Sequence, residues 1–213
     1  METCKLCENP IQTIKSVEEP VYYHCENCDL IFIDKAYYIS PQKEKERYEM
    51  HDNTIENKGY VKMFEKFIDK AVVPYVKKGE KALDFGSGPQ PVLKILLEKR
   101  GIATDIYDPY FAPKRVFHNK KYDLITCTEV IEHIKDPLFA WNFFKEHLKP
   151  GGKLALMTLF HQGTDNFAEW WYRQDATHAC FYSPKTFTWV EKHFPFRILN
   201  IDQKNTLTMK LQI

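Results

Sequence analysis

The sequence predicts an α/β fold: a doubly wound, mostly parallel sheet with helices on both faces, preceded by a small cysteine-rich ribbon. Two observations predict it. From residue 81 onward, short apolar strands alternate with segments of helical periodicity, and that order builds parallel sheets. Four of the six cysteines fall within the first 28 residues, which predicts a local metal site there.

The composition is that of an ordinary globular chain. Its 213 residues are 44% hydrophobic, and 30 lysines and arginines balance 29 aspartates and glutamates to a formal net charge of +1. Because there is no basic excess, we expect no nucleic-acid partner. No apolar run reaches the roughly 18–20 residues of a membrane span, and residues 1–7 lack the apolar centre of a secretory signal. We therefore expect a cytoplasmic protein without membrane contact, whose thiols are reduced.

Two Cys-x2-Cys pairs define a ribbon over residues 1–34: Cys4 with Cys7, and Cys25 with Cys28. Four thiolates on two tight turns satisfy a tetrahedral Zn²⁺ and leave no open position, so the predicted zinc is structural. Reduced thiols without a metal are the alternative. The ribbon carries seven acidic and two basic side chains. Since such a surface repels phosphate, we expect it to cover substrate, pack on the main domain or contact another protein.

A polar segment, residues 35–59, follows the ribbon and is interpreted as a solvated helix or linker. Apolar side chains then recur at helical spacing between Tyr60 and Ala71, which predicts an amphipathic helix that ends before Pro74. The main domain is therefore expected to span residues 60–213.

Strands and helices alternate through the rest of the chain. Strands are predicted over 81–84, 102–107, 122–127 and 153–159, and helices over 92–100, 136–148 and 184–193. Two successive strands, 196–201 and 206–213, close the chain. Their direct succession predicts one antiparallel strand in the sheet.

A glycine-rich turn follows the first strand of this domain. Asp84 and Phe85 end the strand, and Gly86, Ser87 and Gly88 lead into a helix. The glycines permit positive φ and let a ligand approach the backbone at the carboxyl edge of the sheet. The turn is not a dinucleotide fingerprint, because proline stands where the third glycine belongs. The acidic residue before the first glycine would repel a pyrophosphate but suits an amino group.

An acidic residue ends the next strand. Asp108 lies 20 residues after Gly88, where a carboxylate can accept hydrogen bonds from the hydroxyls of a ribose. A plain strand-to-helix turn is the alternative interpretation of the glycines by themselves, and the spacing of Asp108 disfavours it.

These motifs together resemble class I S-adenosylmethionine-dependent methyltransferases. LDFGSG at 83–88 looks like their first motif, and Asp108 resembles the acidic residue of the second. YDLITCTEVIEH at 122–133 is similar to their fourth strand, and LKPGGKL at 148–154 to the turn before the fifth. The resemblance covers residues 60–213 and implies a Rossmann-like sheet of seven strands, the last one antiparallel. Only 13 residues separate Asp108 from Tyr122, so the usual third strand is missing or abbreviated.

The resemblance also implies which residues bind the cofactor, S-adenosylmethionine. The first motif would hold its methionine end, Asp108 its ribose, and the two residues after Asp108 would lie near the adenine. Two residues just past the fourth strand would line the pocket. The implied set is Asp84, Phe85, Gly86, Ser87, Gly88, Asp108, Pro109, Tyr110, Thr128 and Glu129.

A long aromatic connection lies between the strand that ends near 160 and the helix that begins near 184. A connection of this length in a compact domain is commonly functional, so we expect a lid over the methyl acceptor. His161 or His178 would accept the proton of the acceptor, since neutral imidazole suits that task. The alternative is that the aromatic side chains are core and the histidines make structural hydrogen bonds. A base is not essential, because the sulfonium leaves as a neutral thioether and alignment supplies much of the rate.

The predicted function is methyl transfer to a small-molecule acceptor, such as a sugar or a secondary metabolite. Two alternatives stay open: methylation of RNA with the ribbon as a substrate module, and a non-catalytic protein that binds the cofactor and a protein partner. An oxidoreductase fits least, because the dinucleotide fingerprint is incomplete.

Overall fold

A computed structural model describes residues 3–50 and 52–212 of the chain. Within them the strands form two sheets, one of four and one of six strands. No helix in these two ranges has both the length and the apolar character needed to cross a bilayer.

The small sheet is antiparallel and belongs largely to the ribbon. Its order is β1 (Gln12–Thr13), β2 (Tyr22–His24), β3 (Ile31–Ile33) and β8 (Cys180–Phe181). The fourth strand therefore comes from the long aromatic connection, with Ile31 opposite Phe181. The Tyr22 ring contacts Phe167 and Phe181 edge-on, at centroid distances of 5.0 and 5.9 Å. Ribbon and main sheet thus share one continuous apolar core.

The large sheet contains the strands of the main domain. These are β4 (Lys81–Phe85), β5 (Ala103–Tyr107), β6 (Tyr122–Thr128), β7 (Leu148–Met157), β9 (Phe196–Ile201) and β10 (Thr206–Leu211). Their order is β5-β4-β6-β7-β10-β9. β4 to β7 pair in parallel, whereas β10 runs antiparallel to both of its neighbours.

This topology confirms the predicted fold class, including the antiparallel last strand. The described sheet has six strands rather than seven. The connection from Asp108 to β6 is too short for a strand and a crossover helix, and forms turns with one isolated bridge, between Asp108 and Ala112. The central strand β6 is buried along nearly its whole length, as expected where helices cover both faces of a sheet.

Five α-helices accompany the strands of the described chain: α1 (Pro41–Glu49), α2 (Lys58–Phe67), α3 (Val92–Lys99), α4 (Pro137–His147) and α5 (Pro184–His193). Side chains cap most of their N-termini. Asn57 caps α2, Asp136 caps α4, and Ser183 forms a capping box with Thr186 at α5. The polar segment 35–59 contains α1, whose N-terminus is fixed by Ser40 and by a proline in the first turn.

Candidate active site

A cavity of about 1000 Å³ opens where the parallel strands β4, β5 and β6 end. Open α/β sheets bind their ligands at this edge. Its walls include the glycine turn, the segments after β5 and β6, α1, part of α2, residues 171–178, and the turn at 204–205. All ten residues that the sequence assigned to the cofactor line it. They are Asp84, Phe85, Gly86, Ser87, Gly88, Asp108, Pro109, Tyr110, Thr128 and Glu129.

The glycine turn packs closely against its neighbours on one side and is open on the other. Gly86 has φ +84°, its N–H donates to the Tyr107 carbonyl at 2.7 Å, and a Cβ there would lie 2.3 Å from Val130 Cγ2. Gly88 has φ +67°, and a Cβ there would meet no atom within 4 Å. The first glycine is therefore required by packing, and the second leaves room for a ligand to approach the backbone.

Asp84 presents a buried carboxyl group to the cavity. Its side chain is 2% exposed and accepts a hydrogen bond from the Thr126 hydroxyl at 2.9 Å. Burial raises the pKa of Asp84 to about 7, against the lowering by the Thr126 hydrogen bond, and the charge of Asp108 raises it further. A buried carboxylate of this kind is stabilised by a cationic ligand such as a primary ammonium group.

Asp108 ties the segment after β5 to the glycine turn. Its Oδ1 accepts hydrogen bonds from the backbone N–H groups of Tyr110 at 2.8 Å and Phe111 at 3.1 Å. Its Oδ2 accepts from the N–H of Gly88 at 3.0 Å, which links the end of β5 to the glycine turn. Each carboxylate oxygen has two lone-pair sites, so Oδ2 can accept one further hydrogen bond from a ligand hydroxyl.

Two glutamates continue the wall after β6: Glu129, which is half-buried, and Glu132, which is fully buried. Glu129, which has φ +53°, and Glu132 both face the hydroxyl of Tyr172, with its Oη at 3.0 Å from Glu129 Oε2 and 2.5 Å from Glu132 Oε1. Burial raises the pKa of both carboxyls, and the charge of Glu132 raises the pKa of Glu129 further. Sequence analysis identified Glu129 but not Glu132, whose burial depends on the fold of residues 171–178.

His178 lines the cavity beside another imidazole. Its Nδ1–H donates to the Tyr172 carbonyl at 2.7 Å, and its ring centroid lies 4.7 Å from that of His133. Burial lowers the pKa of His178 to about 3, and the neighbouring His133 contributes. The ring is therefore neutral at physiological pH but a poor proton acceptor. Its Nε2 can still accept a hydrogen bond from a ligand.

The other predicted histidine, His161, lies outside the cavity. Its Nε2–H donates to the carbonyl of Asp29 at 2.8 Å, and its Nδ1 accepts from the N–H of Gly163 at 3.2 Å. Asp29 in turn accepts hydrogen bonds from His24 and Ser183. Both ring nitrogens of His161 are thus engaged, Nε2 with the ribbon at Asp29 and Nδ1 with its own connection at Gly163, and the side chain does not line the cavity.

Helix α1 supplies cavity residues that sequence analysis missed. Glu44, Arg47 and Tyr48 lie on its inner face. The Arg47 guanidinium binds Asp175 with N–O distances of 3.0 and 3.2 Å, and Glu44 contacts the Tyr110 hydroxyl and the ammonium of Lys135. In the sequence, only Ser40 and Pro41 indicated the start of a helix. Because the helix is polar and has no apolar face, its pattern could not indicate which surface it packs against.

The ribbon cysteines converge on one point. The Sγ atoms of Cys4 and Cys28 are 3.4 Å apart, those of Cys7 and Cys25 3.3 Å, and all four lie within 4.8 Å of one another. A tetrahedron of thiolates with Zn–S bonds of about 2.3 Å has sulfurs about 3.8 Å apart, so the four side chains suit Zn²⁺. This centre is separate from the cavity, since none of the four cysteines lines it.

Comparison with known proteins agrees with this architecture. A family described as a methyltransferase domain matches residues 60–201. Among curated proteins, the ubiquinone biosynthesis O-methyltransferases of Klebsiella pneumoniae and Citrobacter koseri are 31% and 32% identical over 81 residues. Those matches cover 38% of this chain and 34% of each relative, so the chain aligns with about a third of the length of these enzymes.

Solved structures show the same fold at low sequence identity. An O-methyltransferase family protein from Burkholderia thailandensis is 12% identical with a TM-score of 0.54, covering 79% of this chain and 62% of that one. An S-adenosylmethionine-dependent methyltransferase from Archaeoglobus fulgidus is 14% identical with a TM-score of 0.53, covering 79% and 98%. With the family match over residues 60–201 and a sheet of this topology, the chain belongs to the class I S-adenosylmethionine-dependent methyltransferases.

Proposed function

We propose that this enzyme transfers a methyl group from S-adenosylmethionine to a small-molecule acceptor that enters the same cavity from the side of α1. The observation that carries the proposal is the size and lining of the cavity. At about 1000 Å³ it lies at the upper end of the roughly 300–1000 Å³ of small-molecule sites, which leaves space for two ligands. The cofactor residues line one part of it, and aromatic and histidine side chains line another.

In this proposal the first part of the cavity binds the cofactor through two carboxylates. Asp84 holds the ammonium of the methionine moiety, because it is buried and the neighbouring charge of Asp108 has the same sign. Asp108 accepts a hydrogen bond from the ribose through the remaining lone-pair site of Oδ2, while its bonds to Gly88 and Tyr110 keep it in place. When bound, the cofactor supplies a methyl group on a positively charged sulfur that leaves as a neutral thioether.

The acceptor part is formed by residues from distant parts of the sequence. Tyr48, Trp171 and Tyr172 provide aromatic surface, and Arg47 and His178 provide polar groups. An aromatic wall with a few polar groups orients an acceptor by stacking and hydrogen bonding, and holding it in line with the methyl group supplies much of the rate.

We assign the ribbon a structural zinc. Its four thiolates form a closed set of ligands, and β3 of the ribbon pairs with β8 next to residues 171–178. The metal would therefore stabilise the wall of the acceptor site from outside rather than take part in the chemistry. The names of the two curated relatives above favour oxygen as the acceptor atom, since both are O-methyltransferases.

Calorimetric titration of S-adenosylhomocysteine tests the cofactor half of the proposal. We expect one site with micromolar affinity in the zinc-loaded chain, weakened roughly tenfold or more in Asp108→Asn. Asp105→Asn, on the strand β5 that leads to Asp108, is the matched control, because Asp105 pairs with Lys120 and Tyr122 and does not line the cavity. No binding to a folded, zinc-loaded chain would overturn the proposal.

Radiolabelled S-adenosylmethionine tests the acceptor half. We expect label to pass to a member of a panel of phenols, catechols, amines and sugars. Label on total RNA instead would favour the RNA alternative. Tight cofactor binding without transfer to either class would identify a non-catalytic binding protein.

A further inference from the structure

Three side chains at the floor of the cavity form a cluster, and the function above assigns no role to the cluster as a unit, although His178 belongs to the proposed acceptor part. Glu132 and His133 belong to a short 3-10 turn, Ile131–His133, and His178 lies in the connection that leads to β8. Each offers one ligand atom, and the three ligand atoms lie within 4.8 Å of one another. The backbone holds the two parts together, because the N–H of Ala179 donates to the Glu132 carbonyl at 2.8 Å.

The hydrogen bonds of the two imidazoles fix their tautomers. His133 Nδ1–H donates to the carbonyl of Thr177 at 3.2 Å, and His178 Nδ1–H donates to the carbonyl of Tyr172 at 2.7 Å. Each ring therefore carries its lone pair on Nε2. Metal-binding histidines characteristically donate their other N–H to a backbone carbonyl or a carboxylate, which orients the ring and sets the tautomer.

The carboxylate contributes an independent observation. Glu132 is 0% exposed, yet its Oε2 has no hydrogen-bond partner among the described residues. Its other oxygen accepts from Tyr172 and lies 4.0 Å from His133 Nε2. A buried carboxylate oxygen without a partner is costly, and coordination of a cation is one of the few ways to satisfy it.

From this geometry we infer that Glu132, His133 and His178 form a second metal site, which binds a divalent first-row transition metal at the floor of the acceptor cavity. Two imidazoles and one carboxylate are the ligand set that such ions use when they keep open positions for a substrate. The open positions would face the cavity, because all three residues line it. An acceptor that offers an oxygen ligand would then be held by the metal.

The site differs in chemistry from the ribbon, and that difference allows a clean test. The four thiolates of the ribbon select zinc, whereas the triad offers only nitrogen and oxygen. Co²⁺ is titrated into the full-length chain with its ribbon already loaded with zinc. Absorption from thiolate-to-cobalt charge transfer reports any exchange into the ribbon, and weak d–d bands report binding to the triad.

We expect one equivalent of Co²⁺ to bind without the charge-transfer band. Glu132→Gln and His133→Ala should each weaken this binding at least tenfold, whereas His193→Ala, an exposed imidazole at the end of α5, should leave it unchanged. Melting temperatures and the affinity for S-adenosylhomocysteine, measured on the same samples, show that the variants are folded. These readouts do not require turnover, so they stand even if no acceptor is found.

Two results would overturn the inference. The first is a zinc-loaded wild-type chain that binds no Co²⁺, Mn²⁺ or added Zn²⁺ up to millimolar concentration. The second is a folded Glu132→Gln variant that keeps the wild-type affinity. Either result would mean that Glu132, His133 and His178 do not form a metal site.

Discussion

Replacing Asp84 by asparagine should raise the stability of the protein at pH 8 while weakening cofactor binding at least tenfold. Asp84 has a pKa of about 7 in the folded protein, against 3.8 for an unperturbed side chain, and burial is the main cause. Between those values the folded state holds a proton that the unfolded state has lost. Stability therefore falls as the pH rises from about 4 to about 7, and the loss is complete above that range.

The size of the effect follows from the shift. A difference of about 3 pH units corresponds to about 4 kcal/mol of destabilisation above pH 7, at 1.36 kcal/mol per unit. Asparagine is neutral and can still accept from Thr126, but its buried NH₂ group costs about 1–2 kcal/mol. We expect Asp84→Asn to gain roughly 2–3 kcal/mol at pH 8, or roughly 5–10 °C in melting temperature, and to lose about 1 kcal/mol near pH 4, where Asp84 is already neutral and only the cost of the buried NH₂ group remains.

Asp123 is the matched control, because its pKa is shifted in the opposite direction from that of Asp84. Burial opposes ionisation of Asp123 too, but hydrogen bonds from Lys149 and from the N–H of Lys81 outweigh it and hold the pKa of this carboxyl below its usual range. Asp123→Asn should therefore lose stability at pH 8. It should bind S-adenosylhomocysteine normally, because Asp123 does not line the cavity.

Two assays check the reasoning: thermal melts across pH 4–8, and calorimetric titration of S-adenosylhomocysteine. Wild-type affinity should fall about twentyfold between pH 7.5 and pH 5.5, since Asp84 must lose its proton to pair with the ammonium. Asp84→Asn should bind at least tenfold more weakly at pH 8. If it binds as tightly as wild type, or melts below Asp123→Asn at pH 8, the assignment of Asp84 is refuted.

Three further outcomes follow from the structure. Gly86→Ala should cost about 3 kcal/mol of unfolding free energy, from a Cβ 2.3 Å from a valine methyl and from positive φ, whereas Gly88→Ala should cost about 1 kcal/mol from positive φ alone. Chemical denaturation measures both, and equal losses would contradict the packing argument. Cys25→Ser should lower the zinc content by one equivalent per chain and reduce the melting temperature. Atomic emission measures the zinc content, and an unchanged value would refute the zinc site in the ribbon. Arg47→Ala should speed tryptic cleavage within α1 with less than about 1 kcal/mol lost, because the ion pair with Asp175 is partly exposed. High salt should give wild type the same sensitivity, and a salt-independent difference would argue against the ion pair.

Local sequence determined the positions of the helices and strands and of the glycine turn. The positions of β4, β5 and β6 follow from short apolar runs, and the glycines at 86 and 88 follow from the positive φ that the turn requires. The carboxyl ends of neighbouring parallel strands meet at one edge, so the same reasoning also brought Asp108 beside the turn. These features depend only on residues that are close together in sequence and on one general rule of sheet topology. The cysteine pairs could be identified for the same reason.

The second half of the site depends on contacts between distant residues, and only the tertiary structure could decide it. Arg47 and Asp175 are 128 residues apart in sequence, yet their contact makes a polar helix part of the cavity wall. His161 and His178 look equivalent in sequence. The fold places the first against the ribbon at Asp29, and the second in the cavity next to His133. The sequence determines the chemical capacity of each side chain. Its burial and its hydrogen-bond partners decide which role it has, and both arise only when helices, strands and loops that are distant in sequence pack together.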